Sequence, residues 1–511
     1  MRELVKVNVL WFKRDLRLHD HTPITDACAA GLPILPLYIV DPDYWRQVFS
    51  SRAHWHFIFD CLVELREECS KLGQPLLVLR GDTINVLQGL ADKFLIDEIY
   101  AHEETGGDWS RQRDERVRKW CRSNSTALRE YPSNGVIREL TSRDDWSKLR
   151  DHRINQPLIP KPKRLRGLND LIIGDIPSKT DPMFGNIGPN SWQSGGRSQA
   201  EQALSNFLKK NSIKYLEHIS DPALSETYCS RISPHLTWGT LSVKEVISSL
   251  RSRRRDLRSI GEASWSRNLR AFESRLAWRC HFIQKLEDQP SIENTSMHSA
   301  LEEIRGAESK DHRFDNWARG TTGFPIIDAC MRSLLHGGWI TFRMRAMLVS
   351  FASYNLWIDW RHSGHHLARL FTDYEPGIHY SQLQMQSGVT SINALRIYNP
   401  LKQSITHDAT GEFIRRWVPE IRQLPDSWIH HPWKMSRTLQ LQTKCIIGKA
   451  YPKPLVDHEI TAKIARERIK LASQGEDFRR ESKQIFEKLG SRRRGQSKRN
   501  RRNQKQLKLL P

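Results

Sequence analysis

Short apolar runs alternate with helical patterns over the first third of the chain. Four runs are rich in β-branched residues: Val7–Phe12, Ile34–Val40, Leu76–Leu79 and Ile96–His102. A helical spacing of apolar residues occupies His54–Leu72, between the second and third runs. Near-continuous apolar strands that alternate with helices predict a doubly wound, parallel α/β sheet over residues 1–135. Ligands of such sheets lie beyond the carboxyl ends of the strands, although no GxGxxG or P-loop motif marks a phosphate site here.

The pattern changes near residue 136. Residues 136–197 contain six prolines and little periodicity, which predicts an interdomain linker that runs over the surface. Residues 198–490 have helical spacing throughout and predict an all-α domain. The clearest helix begins at Pro325 and ends at Gly337, and a second buried helical face follows from Ile340 to Ile358.

The charge of the chain is strongly positive, with 80 Lys and Arg against 58 Asp and Glu. Residues 491–511 hold nine of these cations and no acid, which predicts a disordered basic tail and leaves about +13 on the folded body. A positive body favours a phosphate-rich partner, DNA above all. We expect deletion of the tail to weaken DNA binding and to flatten its salt dependence.

The cysteines and the hydropathy restrict the location of the protein. Eight cysteines form no CxxC pair and no zinc-like spacing, which favours free thiols in a reducing cytoplasm. No run of 18 apolar residues occurs, so the sequence predicts no membrane partner. We therefore expect a cytoplasmic, DNA-associated monomer.

Asp373 and Glu375 follow a helix-like segment. Acids in this position are usually solvated turn residues. The alternative is that Asp373 pairs with Arg345 in a buried site, because a buried carboxylate requires a cationic partner.

Two further patterns have a structural and a functional interpretation. The segment Cys229–Ser233 precedes a helix, so its hydroxyls either cap that helix or bind phosphate together with Arg231. The pairs Trp278-Arg279 and Trp360-Arg361 are either core residues beside surface charges or a means of stacking a base and binding its phosphate.

Taken in order, four segments resemble the DNA photolyase/cryptochrome superfamily: WFKRDLRLHDH, SRISPHLTWGTLS, WARGTTGFPIIDACMRSLLHGGWITFRMR and LRIYNP. The resemblance runs from about residue 6 to about residue 420 and is to a divergent, bacterial-type branch that acts on cyclobutane pyrimidine dimers. It implies an N-terminal antenna domain and a C-terminal helical domain that holds a U-shaped FAD beneath a DNA-binding rim.

The resemblance also implies site residues. The implied FAD contacts are Tyr215, Cys229, Ser230, Arg231, Ile232, Ser233, Arg345, Asp373, Tyr374, Glu375 and His379. Arg345 and Asp373 would pair at the C4=O and N5 edge of the flavin ring. The implied catalytic residues are Trp278, Arg275, His379 and Met385, the implied DNA contacts are Trp278, Arg279, Arg343 and Arg396, and the implied electron-transfer residue is Trp360.

The chain departs from the family pattern at several of these positions. His379 replaces an Asn at the flavin, and Leu383 replaces the inner Trp of the electron-transfer chain, which argues against the standard route of photoreduction. In the lesion pocket, Arg275 replaces a Glu, Phe342 an Asn and Met385 a Trp. Only two cysteines follow residue 281, too few for a four-thiolate iron–sulfur site, so we expect no metal.

The expected activity is light-driven, FAD-dependent splitting of cyclobutane pyrimidine dimers in DNA. Two alternatives stay open: a cryptochrome photoreceptor and a lyase for the (6-4) photoproduct, for which His379 and His281 would supply proton donors. A folate or deazaflavin antenna would lie near the sheet, where position alone suggests Glu103 or Asp41.

Overall fold

The N-terminal part of the protein is a five-stranded parallel sheet. The computed structural model describes residues 4–169, 171–185, 188, 191–306 and 311–491. The strands are β1 (Lys6–Phe12), β2 (Ile34–Val40), β3 (Leu77–Arg80), β4 (Leu95–His102) and β5 (Ala127–Tyr131), in the order β3-β2-β1-β4-β5. The four predicted strands are confirmed to within one residue, and the doubly wound parallel sheet is confirmed with them.

The burial of each strand explains which strands the apolar pattern of the sequence could predict. All residues of β1 except Lys6 are buried, because helices cover both faces of a parallel sheet. The fifth strand reads ALREY and is at most half-buried, so it has no apolar run. The strand order reverses between β1 and β4, which makes their carboxyl ends the topological switch point where ligands bind in such folds.

The helices of the first part pack on this sheet. They are α1 (Thr22–Ala29), α2 (Pro42–Arg46), α3 (Arg52–Lys71), α4 (Thr83–Ala91) and α5 (Asp108–Ser123). The following segment contains α6 (Trp146–Ile154) and then returns to the sheet, where the Ile34 amide donates to the Arg166 carbonyl and the Val78 amide to the Ile173 carbonyl, both at 2.8 Å.

The second part is helical, as the sequence predicts. Its helices are α7 (Arg197–Lys209), α8 (Tyr215–His218), α9 (Ser225–Tyr228), α10 (Ser233–Thr237), α11 (Val243–Ser259), α12 (Ala263–Asp288), α13 (His312–Arg319), α14 (Pro325–Gly337), α15 (Phe342–Ser350), α16 (Trp360–Leu370), α17 (Pro376–Ser387), α18 (Pro400–His407), α19 (Glu412–Trp417), α20 (Asp426–Ile429), α21 (Arg437–Gln442), α22 (His458–Ala472) and α23 (Glu476–Leu489). Short 3-10 turns occur at Pro182–Phe184, Asn211–Lys214, Pro290–Glu293, Ser299–Leu301, Pro419–Ile421 and Pro432–Lys434.

The predicted helical face from Ile340 to Ile358 ends earlier than expected. After α15 the chain makes one π-helical turn, Phe351–Asn355, and Trp357 then adopts a left-handed backbone with φ of 58°. A bulky residue with positive φ interrupts a helix, so Ile358 is buried outside any helix.

The two parts are docked through buried polar contacts. His54 on α3 donates a bifurcated hydrogen bond from Nε2 to the carbonyls of Ala368 and Phe371, at 3.1 Å each. Trp238 of the helical part accepts from the Leu16 amide at 3.1 Å, and its indole donates to the Thr372 carbonyl, also at 3.1 Å. The contacts of His54 and of the indole hold the turn after α16, which carries Asp373. Within the described ranges, no helix combines the length and the apolar character needed to cross a bilayer.

Candidate functional site

The centre of the site is an ion pair between α15 and the turn after α16. Arg345 donates from Nη1 to Asp373 Oδ1 at 2.9 Å and from Nη2 to Oδ2 at 3.0 Å, a bidentate geometry. Its Nε donates to the Ile340 carbonyl at 2.9 Å, and the guanidinium lies 4.1 Å from the ring centroid of Phe371. The structure therefore fixes the plane of this guanidinium on three sides.

Burial and charge act in opposite directions on Asp373. Its side chain is 6% exposed, and burial alone would raise its pKa. Arg345, with contributions from Ser233 and Arg231, outweighs burial and lowers the pKa. Asp373 is therefore a carboxylate at neutral pH, and Arg345, which is 24% exposed, keeps part of its surface accessible.

The loop before α10 brings a second guanidinium to this carboxylate. Arg231 has a left-handed backbone, φ 55°, which costs a non-glycine residue of the order of 1–3 kcal/mol. Gln193 stabilises it, since its amide donates to the Arg231 carbonyl at 2.7 Å and accepts from the guanidinium at 3.2 Å. The guanidinium lies 4.2 Å from the ring centroid of Trp339. Gln193 belongs to the linker region, and no sequence pattern marked it.

The other predicted residues of this loop contribute less through their side chains. Ile232 is 1% exposed and packs in the core. Tyr215, on α8 and outside this loop, is also buried, against Phe207 and Phe272. Burial raises the pKa of Tyr215 above its ordinary value, and the neighbouring Arg275 offsets only part of this rise. The structure therefore brings Tyr215 to a residue of the predicted lesion pocket.

His379 is a neutral side chain in this structure. Its Nε2 donates to the Gly364 carbonyl at 2.9 Å, which leaves Nδ1 as an acceptor. Burial lowers the pKa of His379 to about 3. Its ring contacts Tyr374 and Tyr380 edge-on at 5.3 and 5.1 Å. His379 is thus placed next to the turn of Asp373 but is not a proton donor at neutral pH.

Trp360 is buried at the start of α16. Its indole donates to Ser296 at 3.2 Å, and its nearest aromatic neighbour on α17 is Tyr380, with centroids 6.4 Å apart. The Arg361 guanidinium lies 4.5 Å over the Trp360 ring, where its charge disfavours oxidation of the indole. The electron-transfer role of Trp360 stays a prediction.

Glu375 and Arg279 belong to the domain interface rather than to a DNA surface. Arg279 donates to Glu375 at 2.9 Å and to the Leu236 carbonyl at 3.0 Å. Arg14, at the end of β1, donates to Glu375 at 3.5 Å and to the Tyr374 carbonyl at 3.0 Å. This position differs from the predicted contact of Arg279 with DNA, because its side chain is 12% exposed and is committed to a buried carboxylate.

The predicted DNA side presents an exposed aromatic residue. Trp278 on α12 is 43% exposed, and the Arg275 guanidinium lies 4.2 Å from its ring centroid. Phe342, at the start of α15, is 45% exposed, and Met385 on α17 is half-buried. Because α17 packs against both α12 and α15, these residues lie on adjoining helices.

The two predicted phosphate contacts differ in their surroundings. Arg343 donates to Ser220 at 3.1 Å and is half-buried, whereas Arg396 is exposed. Burial is the larger cause of a lowered pKa at Arg343, and the positive charge of the nearby Arg396 lowers it further. Paired cations of this kind are suited to neighbouring phosphates.

Two cavities lie at the carboxyl edge of the sheet. One, between the sheet and the helical part, is lined by Glu103 and His102; the other, towards β2, is lined by Asp41, Trp45 and Arg113. The Asp41 carboxylate already accepts from Asp43 and from the amide and hydroxyl of Thr83, at 2.8–3.0 Å. Asp41 is therefore a structural cap, and a ligand in its cavity would contact the other lining residues, such as Trp45 and Arg113.

Sequence reasoning missed a buried polar cluster at the switch point. Asp15, His21 and His102 form the one group of potential metal ligands among the residues that the structure describes. His21 Nδ1 accepts from the Ile24 amide at 3.3 Å, so its Nε2 carries the proton and donates to Asp15 at 3.0 Å. His102 Nδ1 donates to the same oxygen at 2.7 Å. The ligand positions thus carry protons, and the cluster is a hydrogen-bond network that ties β1 to β4.

This network predicts a pH-dependent stability. Burial lowers the pKa of His102 to about 3, while its ordinary value is 6.5. Between these values the unfolded chain binds a proton that the folded chain does not, so stability falls as the pH drops from about 6.5. The variant His102→Asn keeps a hydrogen-bond donor for Asp15 but has no group that titrates in this range. When the pH is lowered from 7 to 5, the unfolding free energy of this variant should fall by about 2 kcal/mol less than that of the wild type. Urea titrations at both pH values measure this difference; parallel curves would contradict it.

The comparisons with known proteins cover both parts of the chain. The family model described as DNA photolyase matches residues 8–144, and the model described as the FAD binding domain of DNA photolyase matches residues 272–471. A positively charged pair of guanidiniums around one buried carboxylate fits this cofactor, because a flavin that carries negative charge and a pyrophosphate both require cationic donors.

Relatives and solved structures agree with the family models. A deoxyribodipyrimidine photo-lyase of Alkalihalophilus pseudofirmus is 28% identical over 482 residues, which cover 88% of this chain and 95% of that protein. A cryptochrome of Synechocystis has a TM-score of 0.80 at 24% identity, over 91% of this chain and 100% of that chain. An archaeal photolyase of Sulfolobus tokodaii, solved with two FAD molecules, has a TM-score of 0.74 at 25% identity, over 91% and 100%. The chain therefore belongs to the photolyase/cryptochrome superfamily, and its helical part is an FAD-binding domain.

Proposed function

We propose that this protein is a DNA repair lyase that uses light and FAD to split cyclobutane pyrimidine dimers. The observation that carries the proposal is Trp278, an aromatic side chain 43% exposed on a helix adjoining α17, with the Arg275 guanidinium stacked on it. An exposed indole beside a cation is suited to a base that has left the duplex, and the body of the protein is basic. Relatives named as photo-lyases support the same activity.

One set of residues would bind the cofactor, and a second set would bind the DNA. When bound, FAD supplies the electron that opens the dimer. Arg231 and the hydroxyls of Ser230 and Ser233 would bind its pyrophosphate, and Arg345, held by Asp373, would donate to the edge of the ring. On the DNA side, Arg343 and Arg396 would bind phosphates.

The lesion pocket would differ from the family pattern in its charge. Trp278 would stack on one pyrimidine, and Met385 would pack on the other with less contact area. Arg275 would donate hydrogen bonds to the pyrimidine carbonyls, where the family pattern has an acid. Since Arg275 lies close to Tyr215, a predicted contact of the cofactor, it would connect the lesion pocket to the cofactor site.

Dimer splitting is tested by illuminating the fully reduced protein with an oligonucleotide that contains one cyclobutane thymine dimer. We expect intact thymines to reappear in the light and not in the dark. The variant Trp278→Ala should bind the damaged strand about 5- to 100-fold more weakly, because one base loses its stacking partner. Phe486→Ala, an aromatic residue 50% exposed on α23, is the matched control and should bind like the wild type. Absence of repair by reduced, flavin-loaded protein would contradict the proposal.

The same assay separates the two alternatives. The histidines that would favour the (6-4) photoproduct are committed elsewhere: His379 donates to Gly364, and His281 Nδ1 accepts from Arg143 at 2.6 Å. Burial lowers the pKa of both to about 3, so neither is charged at neutral pH. We therefore expect repair of the cyclobutane dimer and no repair of the (6-4) photoproduct. A flavin that is bleached by light while both lesions persist would favour a photoreceptor.

We also propose that a light-gathering pigment binds in the cavity towards β2. Trp45 and Arg113 line it, and the sheet edge is where ligands of doubly wound folds bind. The pigment would be a folate or a deazaflavin, and a second flavin is the precedent offered by the Sulfolobus tokodaii structure. The absorption spectrum of the purified protein, before and after FAD is removed, distinguishes these three.

A further inference from the structure

An unpaired basic stripe runs along α12 towards Trp278. The inward face of this helix is apolar, with Leu269, Phe272 and Leu276 buried. The opposite face carries the residues that we call the α12 stripe: Arg267, Arg270, Ser274 and Trp278, all exposed. At 100° per residue, Arg267 lies within about 20° of Trp278 around the helix axis.

The arginines of the α12 stripe differ from their neighbours in having no acidic partner. Arg251 and Arg254 on α11 both bind Glu273, at 2.8 and 2.6 Å. Among the described residues, neither Arg267 nor Arg270 makes an ion pair or a side-chain hydrogen bond. Residues 251–275 hold eight arginines and three acids, so the surrounding field is also positive.

The spacing along the stripe matches a DNA strand. With a rise of about 1.5 Å per residue, Arg270 lies about 12 Å and Arg267 about 16 Å from Trp278. Base pairs are about 3.4 Å apart, so these distances correspond to about four or five base pairs. A straight helix places this row of cations on one side of the exposed indole only.

We propose that the α12 stripe binds backbone phosphates of duplex DNA on one side of the lesion, four to five base pairs from the extruded base. The inference rests on the proposed function, which puts the lesion at Trp278, and it adds the direction and length of the contact. Arg267 and Arg270 would position the duplex without reading its sequence. The exposed Arg255 and Arg258, at the end of α11 next to the start of α12, extend the same positive surface.

The test compares two double variants with equal loss of charge. Arg267→Gln with Arg270→Gln removes the stripe, and Arg466→Gln with Arg479→Gln removes two exposed arginines of α22 and α23. On a duplex with ten base pairs on each side of the dimer, the stripe variant should reduce the salt slope, d log K/d log[salt], by about 1.8. Between 50 and 200 mM salt this equals about a tenfold smaller loss of affinity than in the wild type. The control variant should keep most of the slope.

Truncated duplexes test the direction. The two flanks of the dimer are shortened to two base pairs one at a time. We expect the difference in salt slope between the stripe variant and the wild type to disappear for the flank that the α12 stripe contacts, and to persist for the other flank. A stripe variant that matches the control variant, or a difference that survives both truncations, would overturn the inference. If the wild type repairs the dimer and these results fail, the inference alone is lost; if the wild type neither binds nor repairs damaged DNA, the proposed function is lost with it.

Discussion

Asp373→Asn should yield a folded protein that has lost most of its flavin. The substitution keeps the shape of the side chain but removes the charge that Arg345 and Arg231 share. Arg345 then loses its carboxylate partner, and breaking a buried pair in this way costs about 3–5 kcal/mol. Because Arg345 loses the partner that fixes its plane, we expect the Kd for FAD to rise at least about 100-fold. The ratio of flavin to protein absorbance, followed by titration with FAD, measures the effect.

The control for this variant is a surface pair of the same kind. Asp426 accepts from Arg415 at 2.5 Å but is 69% exposed, so Asp426→Asn should retain full flavin. Circular dichroism and thermal melting show whether Asp373→Asn is folded. A folded Asp373→Asn protein with wild-type flavin content would refute the central role of the Arg345–Asp373 pair.

Glu375→Gln should destabilise the protein at the interface between its two parts. The carboxylate is 6% exposed and lies between Arg14 of the sheet part and Arg279 of α12, each 12% exposed. Its neutralisation leaves two buried cations without a counter-charge, which we expect to cost about 3–5 kcal/mol. Denaturant unfolding, followed by tryptophan fluorescence, measures this difference.

A more exposed carboxylate provides the comparison for Glu375→Gln. Glu420 accepts from Arg332 at 2.8 Å and is 32% exposed, so Glu420→Gln should lose at most about 1 kcal/mol. Arg14→Gln and Arg279→Gln should each be milder than Glu375→Gln, because one cation stays paired with the carboxylate. Equal unfolding curves for Glu375→Gln and Glu420→Gln would contradict the importance of this interface.

The sequence was sufficient for the features that depend on local pattern. Apolar runs predicted four of five strands, and Pro325 and Gly337 predicted the ends of α14. The pairing of Arg345 with Asp373 was one of two possibilities until the family resemblance favoured it. The fifth strand was missed because an edge strand with polar residues has no apolar run.

The missed features depend on contacts between residues far apart in the chain. Arg14 and Glu375 are separated by 361 positions, and His102 lies 87 positions from Asp15. No periodicity connects such residues, so their ion pairs and hydrogen bonds become visible only when the sheet and the helices are docked. For the same reason Arg279 was assigned to DNA, although its neighbour Trp278 points to the surface and Arg279 itself to the interface.

Three consecutive residues divide their contacts between the two parts of the protein. Asp373 faces the guanidinium of α15, whereas Tyr374 stacks on Phe49 at 5.4 Å, and its carbonyl and the next side chain, Glu375, are bound by Arg14. A polypeptide that began after the linker would keep every residue proposed to touch the cofactor and yet lack the anchors of this turn. Separately produced halves should therefore recover the yellow colour only when they are mixed and reassociate.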